Sequence, residues 1–391
     1  MKTQTGLQLL HNHLDHIQGN VAYLCHAASV DENYTHGIET IKDLFGSRLK
    51  KLFSPQHGIF ADVQDNMVET DHFVHGYYQL PVYSLYSDTR KPTADMLAGI
   101  DHVIVDLQDV GTRVYTYIYT LIYMMEACGE QDIEVIVLDR PNPIGGAAVE
   151  GNVLDMNFRS FVGRYPIPMR HGLTMGEVAM MARQHWGVIC DLRVIKMSGW
   201  ERQMHYWHTG LPWVLPSPNL PNVETAFTFT ATVIFEGTNV SEGRGTTKSL
   251  ETIGHPAIQN YDLLPILEAA FAKSNLAGFV LRPLSFLPTF QKHAGKLCHG
   301  YQIHVTDYHA FQPWRVGQLI NQVLYHQMGG EFLWKQPPYE YEEQLLPIDI
   351  LNGTDQVRKW IESKGEFDEL VDLETQGMDT YQNMRKDILM Y

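Results

Sequence analysis

Two short runs of nearly unbroken branched apolar residues, HVIVD (His102–Asp106) and EVIVLD (Glu134–Asp139), flank a helix-like stretch from Tyr115 to Gly129. Strands buried on both faces read this way, without the polar alternation of a sheet that has one wet side. Parallel neighbours need a crossover, and the intervening stretch supplies one. The same rhythm begins earlier, with a strand candidate at Val21–Ala27, a helical stretch at Thr35–Phe45 and a further apolar run at Leu49–Phe53. The pattern predicts an α/β fold whose first domain is a doubly wound parallel sheet.

A chain of 391 residues fits two domains of about 100–200 residues each. The boundary is expected near residue 220, giving domains 1–220 and 221–391, with the proline-stiffened LPWVLPSPNLP (Leu211–Pro221) as connection. The second, smaller domain is expected to be α/β or α+β. It carries FTFTATVIFEG (Phe227–Gly237), the strand-like YQIHVTD (Tyr301–Asp307), the helical WRVGQLINQVLYHQM (Trp314–Met328) and a charged, helical C-terminus. A net charge of −16 disfavours a nucleic-acid or anionic-membrane partner, and no apolar run approaches a membrane span. Four scattered cysteines without a CxxC pair suggest free thiols in a reducing compartment, and the first twenty residues lack an export signal, so a cytoplasmic protein is expected. The 19 histidines include HNHLDH (His11–His16) but show no metal-ligand spacing, so neither a metal nor a cofactor is expected.

In doubly wound sheets ligands collect outside the carboxyl ends of the strands. Three such ends are rich in polar groups: SPQHG with Gln56 and His57, the run from Asp106 through LQDVGTR with Asp109 and Arg113, and RPNPIGG with Arg140 and Asn142. They are expected to face one cleft; the alternative for Asp106 and Asp139 is to cap the following turn. Thr174 and Glu177 have capping-box spacing, which makes Glu177 a cap rather than a catalyst.

The stretch FEGTNVSEGRGTTKSL (Phe235–Leu250) lacks the GxxxxGK[ST] spacing of a phosphate loop, and Glu242 beside its Gly-Arg-Gly would repel a polyphosphate. A GxSxG serine elbow is absent from the chain. Carbohydrate cleavage needs a proton-donating acid, a second stabilising group, and aromatic and amide contacts for the sugar. Glu236 and Glu242 are the candidate carboxylates, one of them expected to have a raised pKa. Asn219, Asn239, Thr246 and Thr247 offer hydrogen bonds, Trp207, Trp213 and Tyr117 offer apolar faces, and Arg244 suits a substrate carboxylate. The alternative is a Glu236–Arg244 ion pair that holds the loop.

Several motifs in this order, SPQHG, LPVYSLY, RKPTADMLAGID, DLQDVGTRVYTYI, LDRPNPIGG, FVGRYPIPMRHGLTMGE, GLPWVLPSPNLP, EGTNVSEGRGTT and KHAGKLCHGYQIHVTD, resemble the NamZ-type exo-β-N-acetylmuramidases over roughly residues 20–390. The resemblance implies a Rossmann-like domain, a smaller C-terminal domain, and a cleft between them. It also implies an exo-acting glycosidase that releases a terminal β-1,4-linked N-acetylmuramic acid from peptidoglycan fragments, a small-molecule sugar or muropeptide being its partner. Arg244, Arg113, Arg140 or Arg170 would read the lactyl carboxylate, with His171 of the same MRHG run at the substrate. One departure stands out: characterised members carry glutamate in a PEHG-like motif where this chain has Gln56, and an amide cannot pass the catalytic proton. Glu242, Glu236 or His57 then does so, or the substrate differs, or the sugar is bound without cleavage.

Overall fold

The computed structural model describes residues 2–65 and 67–391, and among these residues two sheets form. The larger holds β1 (Val21–Cys25), β2 (Leu49–Ser54), β3 (Phe73–Val74), β4 (Pro81–Ser84), β5 (His102–Asp106), β6 (Glu134–Leu138) and β7 (Leu192–Ile195), in the spatial order β3-β4-β2-β1-β5-β6-β7. All pairings are parallel except β3 with β4. Setting that edge strand aside, the parallel strands run in the 3-2-1-4-5-6 order of dinucleotide-binding sheets. Every residue of β1 and β6 is buried, as expected for central strands covered on both faces.

Helices Gly37–Phe45, Tyr117–Gly129 and Met175–His185 make three of the crossovers. Between β2 and β4 the chain instead runs through turns before β3, so backbone, rather than a helix, lies over the carboxyl end of β2. This irregular crossover carries Gln56 and His57.

The second sheet is antiparallel, in the order β8-β10-β9, from β8 (Thr252–His255), β9 (Phe279–Phe286) and β10 (Cys298–Val305). The run FTFTATVIFEG is rich in residues that favour strands, yet it lies in the helix Val223–Thr232 and the 3-10 turn Val233–Gly237. Asn222 caps this helix by accepting from the Thr225 amide, and burial against the helix Pro313–Met328 outweighs the weak propensity. After the helix Pro313–Met328 and a 3-10 turn at Gly329–Glu331 the chain is irregular through cis-linked Pro337-Pro338, and α-helices resume at Pro347. One apolar core runs from Ala22 through Phe235 and Trp314 to Ile388, joining the two sheets. Among the described residues no helix is long and apolar enough to cross a membrane.

Candidate active site

Beyond the ends of β2 and β5 a narrow pocket is lined by Gln56, His57, Tyr115, Thr116, Tyr117, Ser217, Asn219, Glu236, Arg244, Tyr339 and Glu340. Glu236 also lines an adjoining cavity of about 490 Å³, with Asn239, Glu242, Lys292, Trp334 and Lys335. The polar loop that begins at Phe235 therefore faces the turns that leave the large sheet.

Left-handed glycines fold that loop. Gly243 and Gly245 have φ of +79° and +78°, and a Cβ on Gly245 would lie 2.8 Å from the Thr289 and Phe290 backbone nitrogens. Arg244, between them, turns inward. Its Nη2 donates to Glu236 Oε1, and its Nε lies 3.1 Å from Glu242 Oε1. Lys292 Nζ donates to Glu242 Oε2 at 2.7 Å and to the carbonyls of Phe235 and Val240. Glu242 is thus shared by two cations.

The Tyr339 hydroxyl donates to Glu236 Oε2 at 2.6 Å. Burial alone would raise the Glu236 carboxyl, but Arg244, Tyr339 and Lys292 hold it below its ordinary value. The expectation of a raised pKa fails for Glu236, because the ion pair weighed as its alternative is present. The raised carboxyl is Glu340, which burial, aided by the Glu236 charge, pushes up to about 7 against a hydrogen bond from Tyr86. Tyr86 Oη donates to Glu340 Oε2 at 2.9 Å, and the Gln56 side chain also hydrogen-bonds Glu340. Because Gln56 Oε1 already accepts from Thr116 Oγ1 at 2.8 Å, its amide NH₂ is the end that meets the acid.

His57 Nδ1 lies 2.8 Å from the Val63 carbonyl. A carbonyl only accepts, so Nδ1 carries the proton and Nε2 is the basic nitrogen. Burial, opposed by that hydrogen bond, lowers its pKa to about 4, which keeps the ring neutral near pH 7.

Other sequence-expected site residues lie elsewhere. Arg140 Nη2 donates to Asp106 Oδ2 at 2.9 Å and its Nε to Oδ1, while Tyr23 donates to the same carboxylate, so Asp106 and Arg140 tie β1, β5 and β6 together. Arg113 is fully buried and donates to the carbonyls of Asn152, Ile167, Leu351 and Asn352, which cross-links distant loops. Arg170 donates to the Ile144 carbonyl, Asn142 to that of Leu173, and Asp109 lies 3.2 Å from His171. The turn after β6 therefore holds the fold and does not line the pocket, because the chain's own carbonyls and carboxylates occupy its polar groups. Asp139 accepts from Gly176 N and Thr174 Oγ1 and so anchors the helix that Thr174 and Glu177 cap. Trp213 donates to the Leu220 carbonyl and Trp207 packs on Phe227, so neither lines the pocket; Tyr115, Tyr117 and Tyr339 supply its aromatic faces. Thr246 closes its own turn onto Gly243.

Sequence reasoning missed Glu340 and Tyr339. The signal was PPYEYEE: paired prolines break a helix, and the acid between two tyrosines sits on the resulting turn.

Two family models match the chain, "Exo-beta-N-acetylmuramidase NamZ, N-terminal" over residues 21–224 and its C-terminal counterpart over 227–391. The chain belongs to the NamZ family. A Bacillus subtilis (strain 168) relative, peptidoglycan beta-N-acetylmuramidase NamZ, is 38% identical over 100% of this chain and 92% of its own length. Two crystal structures of DUF1343 family proteins from Bacteroides fragilis NCTC 9343 share the architecture, each covering 100% of this chain and 99% of its own. One has a TM-score of 0.87 at 29% identity and the other 0.75 at 28%.

Proposed function

We propose that this protein is an exo-acting glycoside hydrolase that releases terminal β-1,4-linked N-acetylmuramic acid from peptidoglycan fragments. The observation that carries the reading is the full-length similarity to a relative named as a peptidoglycan β-N-acetylmuramidase. The pocket supports it chemically. Glu236, kept ionised by Arg244, suits stabilisation of an oxocarbenium-like centre, and the neutral His57 suits movement of a proton from water. In this reading domains 1–220 and 221–391 meet at the catalytic cleft, since both contribute lining residues.

Arg244 is already shared by two carboxylates, so we assign the lactyl carboxylate to Lys335 with Arg244 behind it. Lys335 lines the adjoining cavity, its ammonium 5.3 Å over the Tyr339 ring. Four unpaired cysteines fit a reducing compartment, and cytosolic fragments are the substrates we expect there.

The test is release of N-acetylmuramic acid from a chromogenic β-muramide, beside the matching glucosaminide. Turnover of the muramide that falls about 10²-fold or more in Glu236→Gln supports the reading. Preference for the glucosaminide would reassign the sugar, and calorimetric binding without turnover would make the protein a sugar receptor.

A further inference from the structure

Gln56 cannot carry a catalytic proton, and Glu236 and Glu242 are held by cations, so the pocket needs another acid. Glu340 meets the geometric conditions. It lines the pocket, is 4% exposed, and is gripped by the Gln56 amide on one side and the Tyr86 hydroxyl on the other. Its backbone is also unusual. Tyr339 and Glu342 exchange both backbone hydrogen bonds at 2.9 Å, closing a two-residue turn in which Glu340 and Tyr341 have φ of +46° and +67°. Such turns normally take Asn or Gly, and side chains other than these are strained there. The turn places the carboxyl at the junction of the pocket and a further surface cavity lined by Glu69, Arg90 and Tyr341.

We infer that Glu340 is the residue that protonates the leaving glycosidic oxygen, an assignment that rests on the glycosidase reading above. The bond between the anomeric carbon and that oxygen breaks with both electrons going to the oxygen, which takes the Glu340 proton. Water then supplies the hydroxyl on the anomeric carbon, and its other proton restores the carboxyl. The charged and titratable groups facing Glu340 are Tyr86, Arg90 and Glu236, and His57, Arg244 and Tyr339 share its pocket. Arg90 is stacked between the Tyr86 and Tyr341 rings at 4.4 and 4.1 Å and is paired with Glu69 at 3.1 Å. With a pKa pushed up to about 7, the acid is half protonated at neutral pH.

Leaving-group dependence separates a proton donor from a structural residue. Wild type and Glu340→Gln are compared on two glycosides of whichever sugar the wild type cleaves, one releasing 4-nitrophenolate and one releasing a sugar alcohol. The expected result is a loss of about 10²–10⁴-fold in kcat/KM for the sugar leaving group and less than about tenfold for nitrophenolate, with the basic limb of the pH profile abolished. Equal losses on both substrates, or none on either, overturn the assignment. Tyr86→Phe keeps the ring but removes a donor that favours the ionised carboxylate, so the basic limb moves to higher pH; an unmoved limb also overturns it. A wild type active only on glucosaminides removes the muramidase reading and leaves Glu340 judged by the same pair of substrates. A wild type inert on every glycoside, whether or not Gln56→Glu is active, overturns both.

Discussion

Arg244 shows how one side chain sets the charge of a site. Its guanidinium spans Glu236 and Glu242, while Lys292 neutralises the far side of Glu242. A lysine in its place is a single point charge and cannot hold both carboxylates in a fixed fork. Arg244→Lys is therefore expected to let burial raise the Glu236 carboxyl, moving the acidic limb of the kcat/KM profile to higher pH. Arg244→Met leaves two buried carboxylates with one fewer cation, and urea unfolding is expected to show a loss of about 3–5 kcal/mol. An acidic limb unmoved in Arg244→Lys would mean that Glu236 does not act in catalysis. The neighbouring Lys335→Met is expected to raise KM for a muramide several-fold and leave a glucosaminide unchanged, because only the muramide carries the lactyl carboxylate.

At the scale of elements, the glycine-rich loop owes its shape to close approach as well as to turn chemistry. Gly245 and Gly295 both have positive φ, +78° and +73°, but a Cβ on Gly295 meets nothing within 4 Å, whereas on Gly245 it strikes backbone. Gly245→Ala is expected to cost more than the roughly 1 kcal/mol of an ordinary left-handed substitution, measured by thermal unfolding, and Gly295→Ala no more than that. Only Gly245→Ala is expected to lower activity, since it displaces Arg244. The same contrast explains what the sequence disclosed. HVIVD and EVIVLD announce buried parallel strands because burial on both faces demands continuous apolar residues. The Thr174–Glu177 cap is likewise local, and both are present. Which carboxylate stays ionised was not legible, because it depends on partners far along the chain: Tyr339 and Lys292 with Glu236, Tyr86 and Gln56 with Glu340. Nor was the helix Val223–Thr232, where packing overrides residue preference.

For the molecule as a whole, buried titratable groups set a stability window. Burial raises Asp139 to about 6, Glu340 to about 7 and Glu150, with help from Glu374, to about 8. Each group whose folded pKa lies above its unfolded value favours folding at low pH, and that contribution is lost as pH rises through the folded value. Burial also lowers His26 to about 3 and His57, His205 and His255 to about 4. These rings fold neutral, so protonation of the unfolded chain near pH 6.5 withdraws stability as pH falls below it. The two sets oppose each other across pH 5–8, and near pH 6.5 the protons bound by the three carboxyls about balance those bound by the four unfolded histidines. Thermal unfolding at pH 5 to 9 is thus expected to show a maximum between about pH 6 and 7 with losses on both sides. Glu340→Gln, which removes one raised carboxyl, is expected to flatten the alkaline side by about 1 kcal/mol, the share of that group's roughly 3–4 kcal/mol linkage that falls above about pH 6.5. The variant with the damaged active site would then be the more stable protein at pH 8, and an unchanged alkaline slope would show that Glu340 ionises freely in the fold.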